Sequence, residues 1–464
     1  MDVKNFDLIV IGAGPGGYVA ALSAARQGMK VAVCEKQTVG GTCLGRGCIP
    51  TKTMLHTAEI YKNAREGAAI GVIAPDIRVD MNALQDYKNQ TVSTLSDGIR
   101  SQFKKAKVAL FEGTARILST GDVKSVAIGE EVIEAPRLLI ATGSSPVKLP
   151  LPGMDLPGVM DSDLILDNRE PLESLTIIGG GVIGMEFACL YASLGTRVTV
   201  IEALDRILAT LDKEFGQNLK MILKKQDVDI HTSAMLKGIR EEKDENEKRT
   251  LVCTYEEKGK TQEASSEKVL VAVGRRALTQ GLFEGLENIP AMDRGRVLVN
   301  ENYETNVPGI YAIGDVIGGI QLAHVASAEG ENAVAHMLGK KPPMRTDVVP
   351  SCVYTEPEIA SVGLTVEEAR EKGIDAEQLR FVMSANGKTV LTRQPRSFLR
   401  IVCEKSTGKI LGAQMMCARA TDMIGEFSAA IVAGITAGEI APAIRPHPTF
   451  NEAVGEALRT WTEE

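Results

Sequence analysis

No uncharged apolar run in the 464 residues approaches the roughly 18 needed to cross a bilayer. The small-residue stretch from Ala429 to Ala437 is too short, so no membrane association is expected. Positive charge is not in excess either: 52 Lys and Arg face 60 Asp and Glu, for a formal net charge of −8. Phosphate backbones are bound by clustered Lys and Arg, so nucleic acid is not expected as a partner. The start Met1-Asp2-Val3-Lys4-Asn5-Phe6-Asp7 lacks the basic residues and long apolar core of a secretion signal, and a cytoplasmic location is expected. Eight cysteines in a chain of this length do not make a disulfide scaffold. Six of them (Cys34, Cys189, Cys253, Cys352, Cys403, Cys417) are scattered and read as small buried hydrophobes. No second Cys or His pair has zinc-ligand spacing, which leaves a metal site weakly supported.

What is present is ordinary globular composition, 44% hydrophobic and 24% charged, in enough chain for two to four domains. Phe6 to Ile11 reads as a buried parallel strand, Tyr18 to Gln27 as a helix and Lys30 to Cys34 as a second strand. Thr51 to Glu66 reads as a long helix, and Leu138 to Gly143 as a strand ending in a turn. Pro146 to Pro157 is rich in proline and marks a boundary. A second strand–helix–strand unit follows at Leu175 to Ile178, Met185 to Leu194 and Arg197 to Ile201. The charge run Arg240 to Arg249 reads as a solvated turn between antiparallel strands. Lys268 to Gly274 repeats the strand-then-glycine pattern of Leu138 to Gly143, so the chain is an approximate internal duplication. Pro342-Pro343 opens a last segment of alternating strands and helices.

Both units carry a dinucleotide fingerprint. In Gly12-x-Gly14-x-x-Gly17 the first glycine allows the tight turn, the second admits a pyrophosphate, and the third lets helix and strand pack closely. The helix N-terminus attracts the phosphate charge. Glu35, 18 residues past Gly17, is placed to accept hydrogen bonds from ribose hydroxyls. Gly179-x-Gly181-x-x-Gly184 repeats the pattern, with Glu202 again 18 residues past the last glycine. One fingerprint alone can reflect packing; two with matched acids point to two dinucleotide sites. A carboxylate at Glu202 favours a free 2′-hydroxyl and repels a 2′-phosphate, hence NAD over NADP.

Between them lies Gly40-Gly41-Thr42-Cys43-Leu44-Gly45-Arg46-Gly47-Cys48-Ile49-Pro50-Thr51-Lys52. A dithiol that closes to a disulfide stores two electrons beside a site for a carrier. On a regular helix, residues five apart have Cα atoms about 8–9 Å apart, whereas a disulfide needs less than roughly 7 Å. Cys43 and Cys48 can therefore bridge only in a distorted segment, which Gly45 and Gly47 make cheap. Pro50 suits a first helical turn, which puts Cys48 at a helix N-terminus, where a thiolate is stabilised. Lys52 lies one turn further on the same face and adds positive charge. Two buried thiols or half of a metal site are the bland alternatives.

His447-Pro448-Thr449-Phe450-Asn451-Glu452 supplies a second constellation. His447 precedes a proline and cannot easily sit inside a helix. Pro448 to Leu458 reads as the start of a helix with Glu452 in its first turn, within reach of the imidazole. A carboxylate there orients the ring and raises its basicity, and thiol chemistry needs such a base. Thr449-x-x-Glu452 also reads as a capping box, which would explain Glu452 without catalysis. His56, His231, His324 and His336 are taken as structural.

The block Gly40 to Lys52, both fingerprints, Ile140-Ala141-Thr142-Gly143, Tyr311-Ala312-Ile313-Gly314-Asp315 and His447 to Ala453 together resemble the flavin disulfide reductase family across essentially the whole chain. The resemblance implies an α/β fold of two Rossmann-like dinucleotide-binding domains, one for FAD and one for NAD, plus a C-terminal α+β dimerisation domain. The domains would be 1–146 (FAD, first part), 147–273 (NAD), 274–342 (completing the FAD domain) and 343–464 (dimer interface). Cys48 would face the flavin and Cys43 would attack the substrate disulfide, with His447, held by Glu452, acting from the other subunit of a homodimer. Lys52 would lie near the flavin ring, paired with Glu186. Gly113, Gly143, Asp315 and Ala323 would line FAD, and Glu186 and Gly274 would lie at the NAD site. The implied reaction oxidises dihydrolipoyl groups and reduces NAD⁺. The partner would be a lipoylated carrier protein or the acyltransferase core of a 2-oxo acid dehydrogenase or glycine cleavage complex. Another NAD(P)H-dependent disulfide reductase, or a flavin-bound redox sensor, is the alternative. Within the family, glutathione reductase would call for a basic NADPH pocket, which Glu202 opposes. Mercuric reductase would call for a cysteine pair near the C-terminus, and the last cysteine is Cys417. Two positions depart from the pattern. Gly45-Arg46 stands where relatives usually carry Asn-Val, which places a cation beside the disulfide, and Arg445 stands where many carry His.

Overall fold

The computed structural model describes residues 3–243 and 249–462. The chain divides into two compact units. One comprises residues 1–150, 159–172 and 270–346; the other comprises 151–158, 173–269 and 347–464. The segment Val159–Leu172 thus groups with the first unit although it falls within 147–273, and the chain passes between units more than once.

The first unit is built on a parallel sheet in the order Ile310–Ala312, Leu138–Ile140, Leu8–Ile11, Val31–Glu35, Ala109–Glu112. The Leu8–Ile11 strand is buried along its whole length, as a strand covered on both faces must be. Leu8 and Val10 pack with Ala20, Ala21 and Ala24 of the Pro15–Arg26 helix, while Ile9 and Ile11 pack with Ile117 and Ile133 on the other face. The strand is shorter than Phe6 to Ile11. Lys4–Asn5 pairs with Glu131–Ala135 of a second, four-stranded sheet, and Phe6 N donates to Glu134 O at 2.8 Å before the chain crosses over. A change of sheet at Phe6 and Asp7 leaves no sign in the hydrophobic pattern.

The second unit repeats the plan. Ser174–Ile178, Arg197–Glu202 and Asp229–Thr232 pair in parallel, with the Val182–Ser193 helix following the first strand. Ala234–Lys243 and Arg249–Glu257 are antiparallel, as expected around the charge run, but Arg240 to Lys243 of that run continue the first strand; residues 244–248 lie outside the described residues. The C-terminal sheet is antiparallel, in the order Ser351–Val353, Ile359–Gly363, Ile410–Met416, Phe398–Glu404, Ala376–Val382. Its core includes Leu399, Ile401, Met415 and Phe427, and the Glu452–Thr462 helix adds Val454, Ala457 and Leu458. Arg400, from this sheet, meets Asp212 at 2.9 Å and Glu214, and Arg380 meets Glu214 at 2.7 Å. Hydrogen bonding to Arg380, then the charge of Arg400, lowers the Glu214 pKa below its ordinary value. Among the described residues no helix is long and apolar enough to cross a membrane.

Candidate active site

The two fingerprints share one geometry. Gly12 and Gly179 have φ of 104° and 110°, a region that L side chains rarely adopt. A Cβ at Gly17 would collide with the Gly12 carbonyl oxygen, and one at Gly184 with the Gly179 carbonyl oxygen. Each turn is braced by its acid. Glu35 accepts from Ala13 N and Gln37 N, both at 2.8 Å; Glu202 accepts from Gly180 N at 2.5 Å and Leu204 N at 2.7 Å. A carboxylate offers about four lone-pair sites, so each acid keeps capacity for ribose hydroxyls.

Around the first fingerprint the expected residues converge. The Asp315 carboxylate accepts from the Ser144 hydroxyl, and Arg275 grips Ser144 at both its hydroxyl and its carbonyl, each at 2.8 Å. Gly113 N donates to Glu35 O at 2.8 Å, Gly143 O accepts from Leu278 N at 2.9 Å, and Ala323 opens the Ala323–Met337 helix. Gly314 N donates to Glu329 at 2.7 Å, and burial pushes the Glu329 carboxyl up to about 7. No motif marks Ser144, Arg275 or Glu329, whose partners lie far along the chain or across a turn. Among the described residues the buried Thr142 hydroxyl has no hydrogen-bond partner, and it directly follows the Ala141 carbonyl that a Cβ at Gly12 would strike. A cradle of bare backbone with an unmatched hydroxyl fits a dinucleotide. In the second unit Glu186 is buried and accepts from Tyr354 N at 3.0 Å. Gly274, expected beside NAD, falls in the first unit, where its carbonyl accepts from Val147 N at 3.0 Å.

The cysteine segment is broken as its spacing requires. Gly41–Arg46 forms a short helix, Gly47 (φ −143°, ψ −106°) interrupts it, and Cys48 is the first residue of the Cys48–Arg65 helix. Cys48 thus opens this helix, as the position of Pro50 predicts, three residues before Thr51; the Gly41–Arg46 helix leaves no sign in the sequence pattern. The side chains of Cys43 and Cys48 are joined by a hydrogen bond. The Cys43 thiol is pushed well above its ordinary value, first by that bond and then by burial; Lys52 pulls the other way.

His447 Nδ1 lies 2.9 Å from Glu452 Oε1, and Glu452 Oε2 accepts from Thr449 N at 2.9 Å. These two bonds, with Thr449 N the stronger influence, lower the Glu452 pKa and keep it ionised. The carboxylate thus makes one half of a capping box and orients the imidazole as well. The Thr449 hydroxyl donates to Pro446 O at 2.7 Å. The helix begins at Glu452 rather than at Pro448, because Pro448 to Asn451 are held in turns by Glu452 and by bonds such as Ala453 N to Phe450 O. Arg445 meets Glu426 at 2.7 Å and is nearly buried.

Residues 6–330 match the family Pyridine nucleotide-disulphide oxidoreductase, and residues 349–458 match its dimerisation domain. The chain belongs to the pyridine nucleotide-disulphide oxidoreductase family, with FAD and NAD as its cofactors and a homodimer as its assembly. Within it, the chain is similar to dihydrolipoyl dehydrogenases. One from Bacillus subtilis (strain 168) is 40% identical, covering 98% of this chain and 97% of its own. One from Haloferax volcanii is 37% identical, covering 97% and 95%. Of solved structures, the HOCl-induced flavoprotein disulfide reductase RclA from Escherichia coli is 27% identical with a TM-score of 0.86, covering 98% of this chain and 99% of that one.

Proposed function

We infer that this chain oxidises dihydrolipoyl groups and passes the electrons to NAD⁺. Its activity is NAD-dependent dihydrolipoyl dehydrogenation. The hydrogen-bonded Cys43–Cys48 pair carries the inference: it follows the Gly12–Gly17 turn in the same unit, and a Cβ at Gly41, two residues before Cys43, would lie 2.5 Å from Gly14 Cα.

In the first half-reaction a dihydrolipoyl dithiol and the Cys43–Cys48 disulfide exchange, giving a lipoyl disulfide and the protein dithiol. In the second, the dithiol closes again as NAD⁺ becomes NADH and a proton is released. When bound in the Gly12–Gly17 cradle, FAD supplies the two-electron relay between thiols and nicotinamide. Glu35, Gly113, Gly143, Asp315 and Ala323 hold FAD, with Lys52 near its ring; Gly179, Gly181, Gly184, Glu186, Glu202 and Gly274 serve NAD. Cys43 is the thiol that meets substrate, and Cys48, at its helix N-terminus, is the thiol that faces the flavin. His447 is the base, acting across the homodimer, and Glu452 holds its ring. The 79% exposure of the His447 side chain within one chain supports a role outside its own unit. The protein serves as the E3 or L-protein component of a cytoplasmic 2-oxo acid dehydrogenase or glycine cleavage complex, with a lipoylated carrier as partner.

Purified protein turned over with NADH or NADPH, against lipoamide or glutathione disulfide, tests the reading. NADH with lipoamide is the expected best pair. NADPH with glutathione disulfide as the best pair would overturn it.

A further inference from the structure

The Gly41–Arg46 helix has six residues, no side-chain N-cap, and Leu44 as its buried residue. Helices this short do not persist on their own. Glycines at 40, 41, 45 and 47 soften it further. Yet Cys43 rides on this helix and has to find the same sulfur, Cys48, in every cycle.

The side chain that anchors its far end is Arg46. Its Nε lies 2.9 Å from Asp163 Oδ2, one Nη donates to Gln37 Oε1, and the other donates to Thr42 Oγ1 at 3.3 Å. Each guanidinium nitrogen thus has an acceptor, on three different stretches of chain. Asp163 is itself firmly placed. It sits in the Ser162–Ile165 helix, whose cap Asp161 accepts from Asp163 N at 3.0 Å and Leu164 N at 2.9 Å. Burial raises the Asp163 pKa, opposed first by Arg46 and then by Arg275, so Arg46 is its main countercharge. Both partners are about three-quarters covered, at 27% and 26% exposure, where an ion pair is less screened than at the surface. A planar fork reaching several acceptors is something Lys cannot reproduce.

We propose that Arg46 and Asp163 form an ionic latch that positions the Cys43-bearing helix against Cys48, so that Arg46 is a positioning residue of the dithiol–disulfide couple. The proposal rests on the redox reading of the two cysteines. It also revises the expectation of a cation beside the disulfide: the Arg46 charge is engaged by Asp163 and is not offered to substrate. Closing the disulfide depends on the effective concentration of one sulfur at the other. Released from the latch, the helix samples more positions and closure becomes less favourable.

The equilibrium to measure is protein dithiol plus glutathione disulfide giving protein disulfide plus two glutathione. The Cys43–Cys48 bond forms as the glutathione S–S bond breaks, and two electrons and two protons pass to the glutathione sulfurs. Wild-type holoenzyme, Arg46→Ala, Arg46→Lys, Asp163→Asn and the Arg46→Ala/Asp163→Asn double variant are equilibrated anaerobically in glutathione buffers. Thiols are then trapped by alkylation and counted by mass spectrometry. Each single variant is expected to shift about tenfold toward the dithiol, about 30 mV. The double variant should shift no further than a single one, and Arg46→Lys should stay displaced. Asp163→Asn keeps the shape of the side chain, so it reads the latch even where Arg46→Ala fails to fold. An unshifted Asp163→Asn, additive shifts in the double variant, or full restoration by Arg46→Lys would each overturn the latch. Loss of dihydrolipoamide turnover in Cys48→Ser judges the redox reading separately.

Discussion

The Gly12–Gly17 and Gly179–Gly184 turns differ at one telling position. Gly16 of the first corresponds to Ile183 of the second. A Cβ at Gly16 would lie 2.9 Å from both Ala326 O and Ile313 Cδ1, and one at Gly330 would lie 2.8 Å from Gly16 O. The first fingerprint helix is therefore pressed backbone to backbone on the Ala323–Met337 helix, while the second, with its Ile183 partly exposed, is not so constrained. The rest of the two turns is nearly superimposable in kind: positive φ at the first glycine, collision at the third, and an acid accepting from two backbone N–H groups. Dinucleotide cradles are thus specified locally, and what distinguishes the two is which element covers the helix behind them.

The largest way to break the comparison is at the third glycines. Gly17→Ala should abolish FAD retention, read as the flavin absorbance that copurifies with the protein. Gly184→Ala should keep FAD and raise the KM for NAD about tenfold or more. Retained FAD in Gly17→Ala, or loss of FAD in Gly184→Ala, would show that the sites are assigned in the wrong order. Next comes the position that differs. Gly16→Ala should cost about 1–3 kcal/mol in denaturant unfolding, as overpacking does. Ile183→Ala, at a looser and partly exposed position, should cost less.

Two glutamates sharpen the contrast between units through pH. Glu329 in the first unit is raised by burial from 4.5 to about 7. Its contribution is full below pH 4.5 and is lost as pH rises through about 7. Glu329→Gln keeps an acceptor for Gly314 N without the charge, so its Tm should gain on wild type as pH rises from 4.5 to about 7 and hold that gain above it. Glu214 in the second unit is lowered, chiefly by its bond to Arg380. Its contribution is present above pH 4.5 and is lost as pH falls through its folded value. Glu214→Gln should therefore cost about 1–2 kcal/mol at pH 7, with the difference from wild type closing in acid.

The parts of the site that were legible in the sequence are those whose geometry is set within a few residues. Gly12, Gly17 and Glu35 answer to one turn, and the break between Cys43 and Cys48 answers to sulfur–sulfur reach. Boundaries that depend on bonds to distant backbone were missed. The change of sheet at Phe6 needs Glu134, and the late start of the last helix needs the two-way reach of Glu452. Asp163 was invisible for the same reason. It lies far along the chain from Arg46, in a stretch with no motif, and only folding brings the two charges to 2.9 Å.

The central claim is that electrons enter and leave through the Cys43–Cys48 pair. Cys48→Ser protein, purified with its flavin, should show no dihydrolipoamide-dependent reduction of NAD⁺ while retaining bound FAD. Undiminished turnover in that variant would contradict the account.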